Sequence, residues 1–144
     1  CPSSTLLKQV ISNGMGPKGM GEINRLGHLS DAFAMAGAGL SDLGTALDLA
    51  RASKGDDAYP VVMELADNLA SVCKRYKNDK HIYTGLQAIV QETFAPLYEE
   101  MGWEAKAGRE ERVSDATIRQ VVIGLMAMAE YAPVIDEAKK RFNN

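Results

Sequence analysis

The sequence predicts an all-α fold built of antiparallel helical hairpins stacked side by side, and three observations carry that expectation. Apolar residues recur at three- and four-residue steps along most of the chain, the signature of one buried helix face. Short stretches marked by glycine or proline separate these periodic segments, so consecutive helices return on one another. The composition agrees: leucine, alanine, methionine and glutamate are frequent, while only 6% of residues are aromatic and five are proline. With 144 residues the chain has one domain's worth of sequence, long enough to bury a real core. Pairs of this kind stacked in register form a HEAT/armadillo-like right-handed solenoid fragment. The repeat period is irregular here, so the hairpins are the firmer part of that expectation.

Taken in order, residues 1–21 divide into a short helix and a glycine-rich loop. Ser3 or Ser4 can cap a helix over Ser4–Ser12 whose apolar face is Leu6, Leu7, Val10 and Ile11. Asn13–Gly21 carries Gly14, Gly16, Gly19 and Gly21 around Pro17. It lacks the spacing of a phosphate-binding loop and no strand precedes it, so it reads as a surface loop.

Residues 22–144 hold the hairpins. A helix over Ile23–Ala38 places Leu26, Leu29, Phe33 and Ala36 on one face and stops at Gly39. Its alanines and Gly37 allow a neighbouring helix to approach closely. Ser41 is expected to cap the next helix, Asp42–Ser53, which Gly55 ends. Asp56 and Asp57 then suit the positive end of a helix dipole. Pro60 sits in the first turn of that helix, where its missing N–H costs nothing. Val62, Leu65, Leu69, Val72, Cys73 and Tyr76 carry its stripe to about Lys77.

The longest periodic pattern is Lys80–Met101, with Ile82, Leu86, Ile89, Val90, Phe94, Leu97, Tyr98 and Met101 on one face. Pro96 lies inside it and should bend it, and Gly102 should end it. Trp103, the only tryptophan, follows that stop and is expected to fold back as a largely buried anchor against Phe94, Leu97 or the helix beginning at Ser114. Pro96, Phe94, Phe33 and Trp103 are thus the expected structural anchors. A charged connector, Glu104–Glu111, leads to a helix opened by Ser114 and Asp115 and running to about Tyr131. It is apolar almost all round between Ile118 and Ala129, which predicts the most buried element. Pro133 opens a last helix, Val134–Phe142.

Residues able to carry chemistry are scarce. His28 and His81 are far apart and form no H-E-x-x-H pair of zinc ligands. Cys73 falls on an apolar face and reads as a small buried hydrophobe. The paired carboxylates Asp56-Asp57, Glu99-Glu100 and Glu110-Glu111 point in different directions on a helix and read as solvated. No catalytic and no metal-binding residue is expected. Arg119, a permanent cation one turn into the most apolar helix, has two readings. It can pair with Asp115 at i,i+4, its stem lying along the core. It can also line a groove and meet a peptide carboxylate.

Sixteen basic against nineteen acidic side chains leave a net charge of −3, no footprint for nucleic acid or an anionic membrane. The longest apolar run, Val121–Ala129, is too short to cross a bilayer. Two cysteines, Cys1 and Cys73, make no disulfide framework, and a reducing, cytoplasmic setting is the expectation. Cys1-Pro2, where a methionine would be usual, suggests a piece of something longer. In such a piece Val134, Ile135, Ala138 and Phe142 would leave an apolar patch prone to self-association.

Pro96–Gly108, read as PLYE-x-MGWE-x-K-x-G, resembles the C-terminal helical domain of the gluzincin zinc aminopeptidases, the family of aminopeptidase N and puromycin-sensitive aminopeptidase. Arg25-Leu26-Gly27 through Asp31-Ala32-Phe33-Ala34-Met35-Ala36 is similar to the family's RxxLxxDAFxLAxAG helix, and Thr45–Leu49 to its ALxL helix. Ile118-Arg119 and Glu137–Phe142 are similar to its LR helix and its EAxxRF ending. The likeness covers nearly all of the chain from Thr5 onward, through structural motifs rather than catalytic ones. Ala105 and Ala107 depart from it, standing where relatives often carry proline. The resemblance implies a non-catalytic domain that covers the active-site cavity of a peptide-trimming enzyme and shapes substrate access. It implies zinc in a separate catalytic domain, which would be the partner of this one, with peptides as substrates of the whole. The rival expectation, from the helices alone, is a free-standing helical-repeat module whose concave face binds a partner helix or peptide.

Overall fold

The computed structural model describes residues 21–144, and among them it has six helices and no strand. The expected helix Ser4–Ser12 and all but the last residue of the glycine-rich loop lie outside the described residues. The helices are α1 (Glu22–Gly37), α2 (Leu43–Ala52), α3 (Tyr59–Arg75), α4 (Lys80–Met101), α5 (Val113–Met128) and α6 (Ala132–Asn143). α1 packs on α2, α3 on α4, α4 on α5 and α5 on α6. Alternate helices also meet: α1 touches α3, α3 touches α5, and α2 touches α4. The helices therefore form two rows, α1–α3–α5 and α2–α4, with α6 lying on α5.

Position within those rows explains where the core sits. α3 has α1, α4 and α5 around it and buries Val61, Val62, Leu65, Ala66, Leu69, Val72 and Cys73. It is the most buried helix, in place of α5, for which the sequence predicted that role. α5 is apolar on all sides and packs on α3, α4 and α6, yet less of it is covered: Ile118, Val122, Leu125 and Met126 are buried, while Val121, Ile123 and Met128 are half-buried. Burying a large aliphatic side chain contributes roughly 1.5–3 kcal/mol, so α3 is the main hydrophobic support. Phe33 and Phe94 are buried as expected, at 7% and 2% exposure.

The ends of the helices follow from local chemistry, and several differ by a residue from expectation. Asp42, not Ser41, caps α2, its Oδ1 accepting from the Gly44 N–H at 3.0 Å. A carboxylate reaches the second N–H of the helix and adds a favourable charge to its positive end. Asp79 caps α4 in the same way, accepting from the Ile82 N–H at 3.1 Å. Pro96 lies within one unbroken helical run, where its ring leaves the Glu92 carbonyl without the usual partner. Gly102 at φ 63° ends α4, and its N–H returns to the Tyr98 carbonyl at 2.8 Å.

α1 and α5 stop by the same hydrogen-bond pattern with different residues. After α1, the Leu40 N–H reaches the Met35 carbonyl and the Gly39 N–H reaches Ala36, with Gly39 at φ 74°. After α5, the Tyr131 N–H reaches the Met126 carbonyl and the Glu130 N–H reaches Ala127. The left-handed position is here Glu130, at φ 58°. The Schellman motif favours glycine at that place, so the sequence carries no stop signal and predicts a helix reaching Tyr131. Neighbouring helix α4 supplies the missing donors: Gln91 Nε2 donates to the Ala129 carbonyl at 2.8 Å and Gln87 Nε2 to Met128 at 3.4 Å.

Trp103 is partly buried and packed against the core, donating to the Tyr98 hydroxyl and lying against Arg141 of α6. One further expectation needs correction. In the last helix Val134 is fully buried against the core and Ile135 and Ala138 are half-buried. The expected apolar patch therefore shrinks to Phe142, at 91% exposure.

Candidate functional site

A cleft of about 110 Å³ opens between the end of α4, the connector of residues 102–112 and the first two turns of α5. Leu97 and Met101 from α4 and Ile118 from α5 form its apolar floor. Its walls are charged: Asp57, from the turn before α3, Glu100, Glu110, Glu111 and Asp115 face Lys106, Arg109, Arg112 and Arg119. The irregular connector is what brings these charges together, because Gly108, at φ 80°, lets the chain turn back toward α5. Ligand pockets usually enclose roughly 300–1,000 Å³. The cleft is smaller than that and suits one side chain or a terminal carboxylate, not a whole peptide.

Arg119, singled out by the sequence, stands in this cleft. Its expected i,i+4 partner is not Asp115. Asp115 turns back to the helix start instead, where it accepts from the Arg112 N–H at 3.2 Å and from the Arg112 guanidinium at 3.1 and 3.3 Å. That hydrogen bond holds the Asp115 carboxyl below its ordinary range and raises Arg112. With Asp115 engaged, Arg119 pairs through NH1 with Glu111 Oε1 of the connector. The Arg119 side chain is 13% exposed, and its Nε is buried without a hydrogen-bond partner among the described residues. Leaving a buried N–H unmade costs roughly 1–3 kcal/mol, so Glu111 does not fully satisfy this guanidinium.

A second arginine pair escaped the sequence reading. Arg25 of α1 meets Asp56, Nε to Oδ2 at 2.7 Å and NH2 to Oδ1 at 3.3 Å, with the Asp56 side chain wholly buried. Asp56 Oδ1 also accepts from the Ala58 N–H at 3.1 Å in the turn before α3, so this carboxylate is buried and paired with an arginine 31 residues away rather than solvated as expected. Both arginines belong to the stretches that carry the family resemblance. The only usable signal for this pair was a charge, Arg25, on the apolar side of a predicted helix.

The other residues considered for chemistry are scattered. His28 and His81 are both exposed. Cys73 is buried in α3, which pushes its thiol pKa up and keeps it protonated. Glu99 and Glu100 are exposed at the end of α4. Among the described residues no three of His, Cys, Asp and Glu come together as a metal would need. No single helix among them is long and apolar enough to cross a membrane.

Comparison with known proteins agrees with the all-helical architecture. Residues 3–144 match the family model described as ERAP1-like C-terminal domain. The chain is also similar to Aminopeptidase M1-A of Oryza sativa subsp. japonica, 29% identical over 121 residues. That alignment covers 83% of this chain but only 14% of the rice protein, so the chain spans a small part of the relative it matches.

Proposed function

The chain belongs to the ERAP1-like C-terminal domain family, and we propose that it forms part of the wall over the active-site cavity of an M1 zinc aminopeptidase, shaping which peptides enter. The match over residues 3–144 is the observation that carries this reading. The longer protein would remove N-terminal amino acids from peptides, with its catalytic domain as the partner of this one. The two rows of helices fit a portion of a HEAT-like solenoid, a shape that presents one long face to a ligand.

Zinc belongs to the family in general, and where bound it activates water and polarises the carbonyl to be cut. The described residues of this chain offer it no ligand set. What they offer instead is position. Once Glu111 is displaced, the Arg119 guanidinium can donate to a carboxylate at the far end of a peptide. Leu97, Met101 and Ile118 can take the apolar part of the residue next to that carboxylate. Such a contact lies away from the reacting bond, so its binding energy would favour long substrates over short ones.

Placing a photo-cross-linking residue at Ala105, exposed on the cleft wall, within the longer aminopeptidase tests the reading. Peptides long enough to reach beyond the catalytic domain should become attached there, while a single aminoacyl dye should not. Failure of every peptide to cross-link, in an enzyme that still turns those peptides over, would reject it.

A further inference from the structure

α6 is held less by burial than by a ring of side chains. Val134 is its only buried residue, and α5 is the helix it packs on. Both of its ends are nevertheless tied to one place, the C-terminal end of α4. At its start, Tyr131 stands edge-on to Tyr98, ring centres 5.8 Å apart at 88°. In its last turns the Arg141 guanidinium lies 5.0 Å from the centre of the Trp103 ring. The same guanidinium donates from NH1 to Glu104 Oε1 at 2.8 Å and from Nε to Glu137 Oε1 at 2.8 Å. Trp103 Nε1 closes the ring by donating to the Tyr98 hydroxyl at 2.9 Å.

Trp103 and Glu104 are also among the first residues of the connector that walls the cleft. The other end of that connector is fixed by the pair of Glu111 with Arg119. Between these two ties, residues 104–110 are all exposed. We propose that α6 is a strap holding the connector of residues 102–112 against the end of α4, with Arg141 as the positioning residue, so that release of Arg141 frees the cleft wall. The parts suit a reversible hold. Arg141 is 42% and Glu104 74% exposed, and exposed ion pairs are individually weak and screened by salt. Here two ion pairs and a cation–π contact meet on one guanidinium, so individually weak interactions combine. A helix with so little burial is the kind of unit that opens locally while the rest of a domain stays folded. The strap concerns where the wall stands, not what the cleft holds, so it is independent of the peptide contact proposed above.

Limited trypsin digestion of the chain, with the cut sites identified by mass spectrometry, tests it on Arg141→Gln. Cleavage after Lys106 and Arg109 in the connector should rise about tenfold, as opening of that segment becomes easier. Emission of Trp103, the only tryptophan, should shift to the red in parallel. Cleavage after Lys74 and Arg75 in α3 should not change, which separates release of the strap from general loosening. Glu104→Gln, which leaves Arg141 and its Glu137 pair in place, should move the connector sites in the same direction by a smaller factor. Unchanged connector cleavage in both variants would overturn the proposal, and so would a rise shared equally with the α3 sites.

Discussion

Among the described residues two largely buried arginine–carboxylate pairs tie connecting segments to helices, and they are satisfied to different degrees. Asp56 spends both oxygens on Arg25 and gives one of them also to the Ala58 N–H, with almost no surface reached by solvent. Arg119 meets Glu111 through one nitrogen while its Nε stays buried and unpartnered. The first pair is closed off from solvent. The second keeps a donor and faces a cleft. A closed pair of this kind fixes one element to another, whereas an open one can exchange its carboxylate for another of the same charge. That difference, and not the presence of an arginine as such, is why the Arg119 cleft is the candidate site.

The contrast can be broken most severely at Asp56. Asp56→Ala leaves the Arg25 guanidinium buried and removes the acceptor for Ala58, so it should destabilise the fold by roughly 3–5 kcal/mol in urea unfolding. A loss under about 1 kcal/mol would mean that the pair is solvated and that the two arginines do not differ in kind. Arg119→Gln should cost less, roughly 1–2 kcal/mol, because Glu111 at 25% exposure can turn to water once its partner is gone. Equal costs at the two positions would erase the distinction.

Much of the helical frame was legible in the residues themselves. The pattern over Lys80–Met101 and its glycine stop correspond residue for residue to α4, because an apolar period and a left-handed glycine are local signals. The pairing of charges was not legible. Asp115 is the acid that spacing along a helix selects for Arg119, yet as the third residue of α5 it is drawn back to the exposed N–H groups of the helix start. Glu111 replaces it from an irregular connector whose path no periodicity describes. Arg25 and Asp56 lie 31 residues apart and meet only because α1 packs on α3. The cleft is legible in one residue, Arg119, and otherwise arises from tertiary packing. The excess burial of α3 over α5 has the same origin, since hydrophobicity describes a helix and its neighbours decide how much of it is covered.

A finer form of the comparison concerns the two helix ends that share one hydrogen-bond pattern. Gly39 takes the left-handed position at no steric cost, and Glu130 takes it against the preference of its Cβ. Glu130→Gly should therefore stabilise the chain by about 0.5–1 kcal/mol in thermal or urea unfolding, the reverse of what glycine does inside a helix. A loss of stability would show that the Glu130 side chain contributes more than its backbone costs.

The smallest effect belongs to the Arg112–Asp115 contact at the cleft mouth. Its hydrogen bond lowers the folded-state pKa of Asp115 below the unfolded value of about 3.9. The contribution is thus fully present above that value and is lost as pH falls through the folded one. Asp115→Asn should flatten the acid limb of a stability–pH profile below about pH 4 and leave neutral pH nearly unchanged. A wild-type profile with the same acid slope as the variant would show that the contact does not persist in solution.

The central claim, that the open pair serves substrate and the closed pair serves the fold, is tested most directly by steady-state kinetics in the aminopeptidase proposed above. Arg119→Gln and Asp56→Asn would each be assayed with a long peptide and with a single aminoacyl dye, beside a melting curve. Arg119→Gln should raise KM for the long peptide by about tenfold, leave the dye almost untouched and lower Tm less than Asp56→Asn does, the mark of a contact with the distal part of the substrate. Asp56→Asn should lower Tm and affect both substrates alike. If Arg119→Gln shifted both substrates equally, its pair with Glu111 would be a structural tie like the other, and the cleft would have no claim on the substrate.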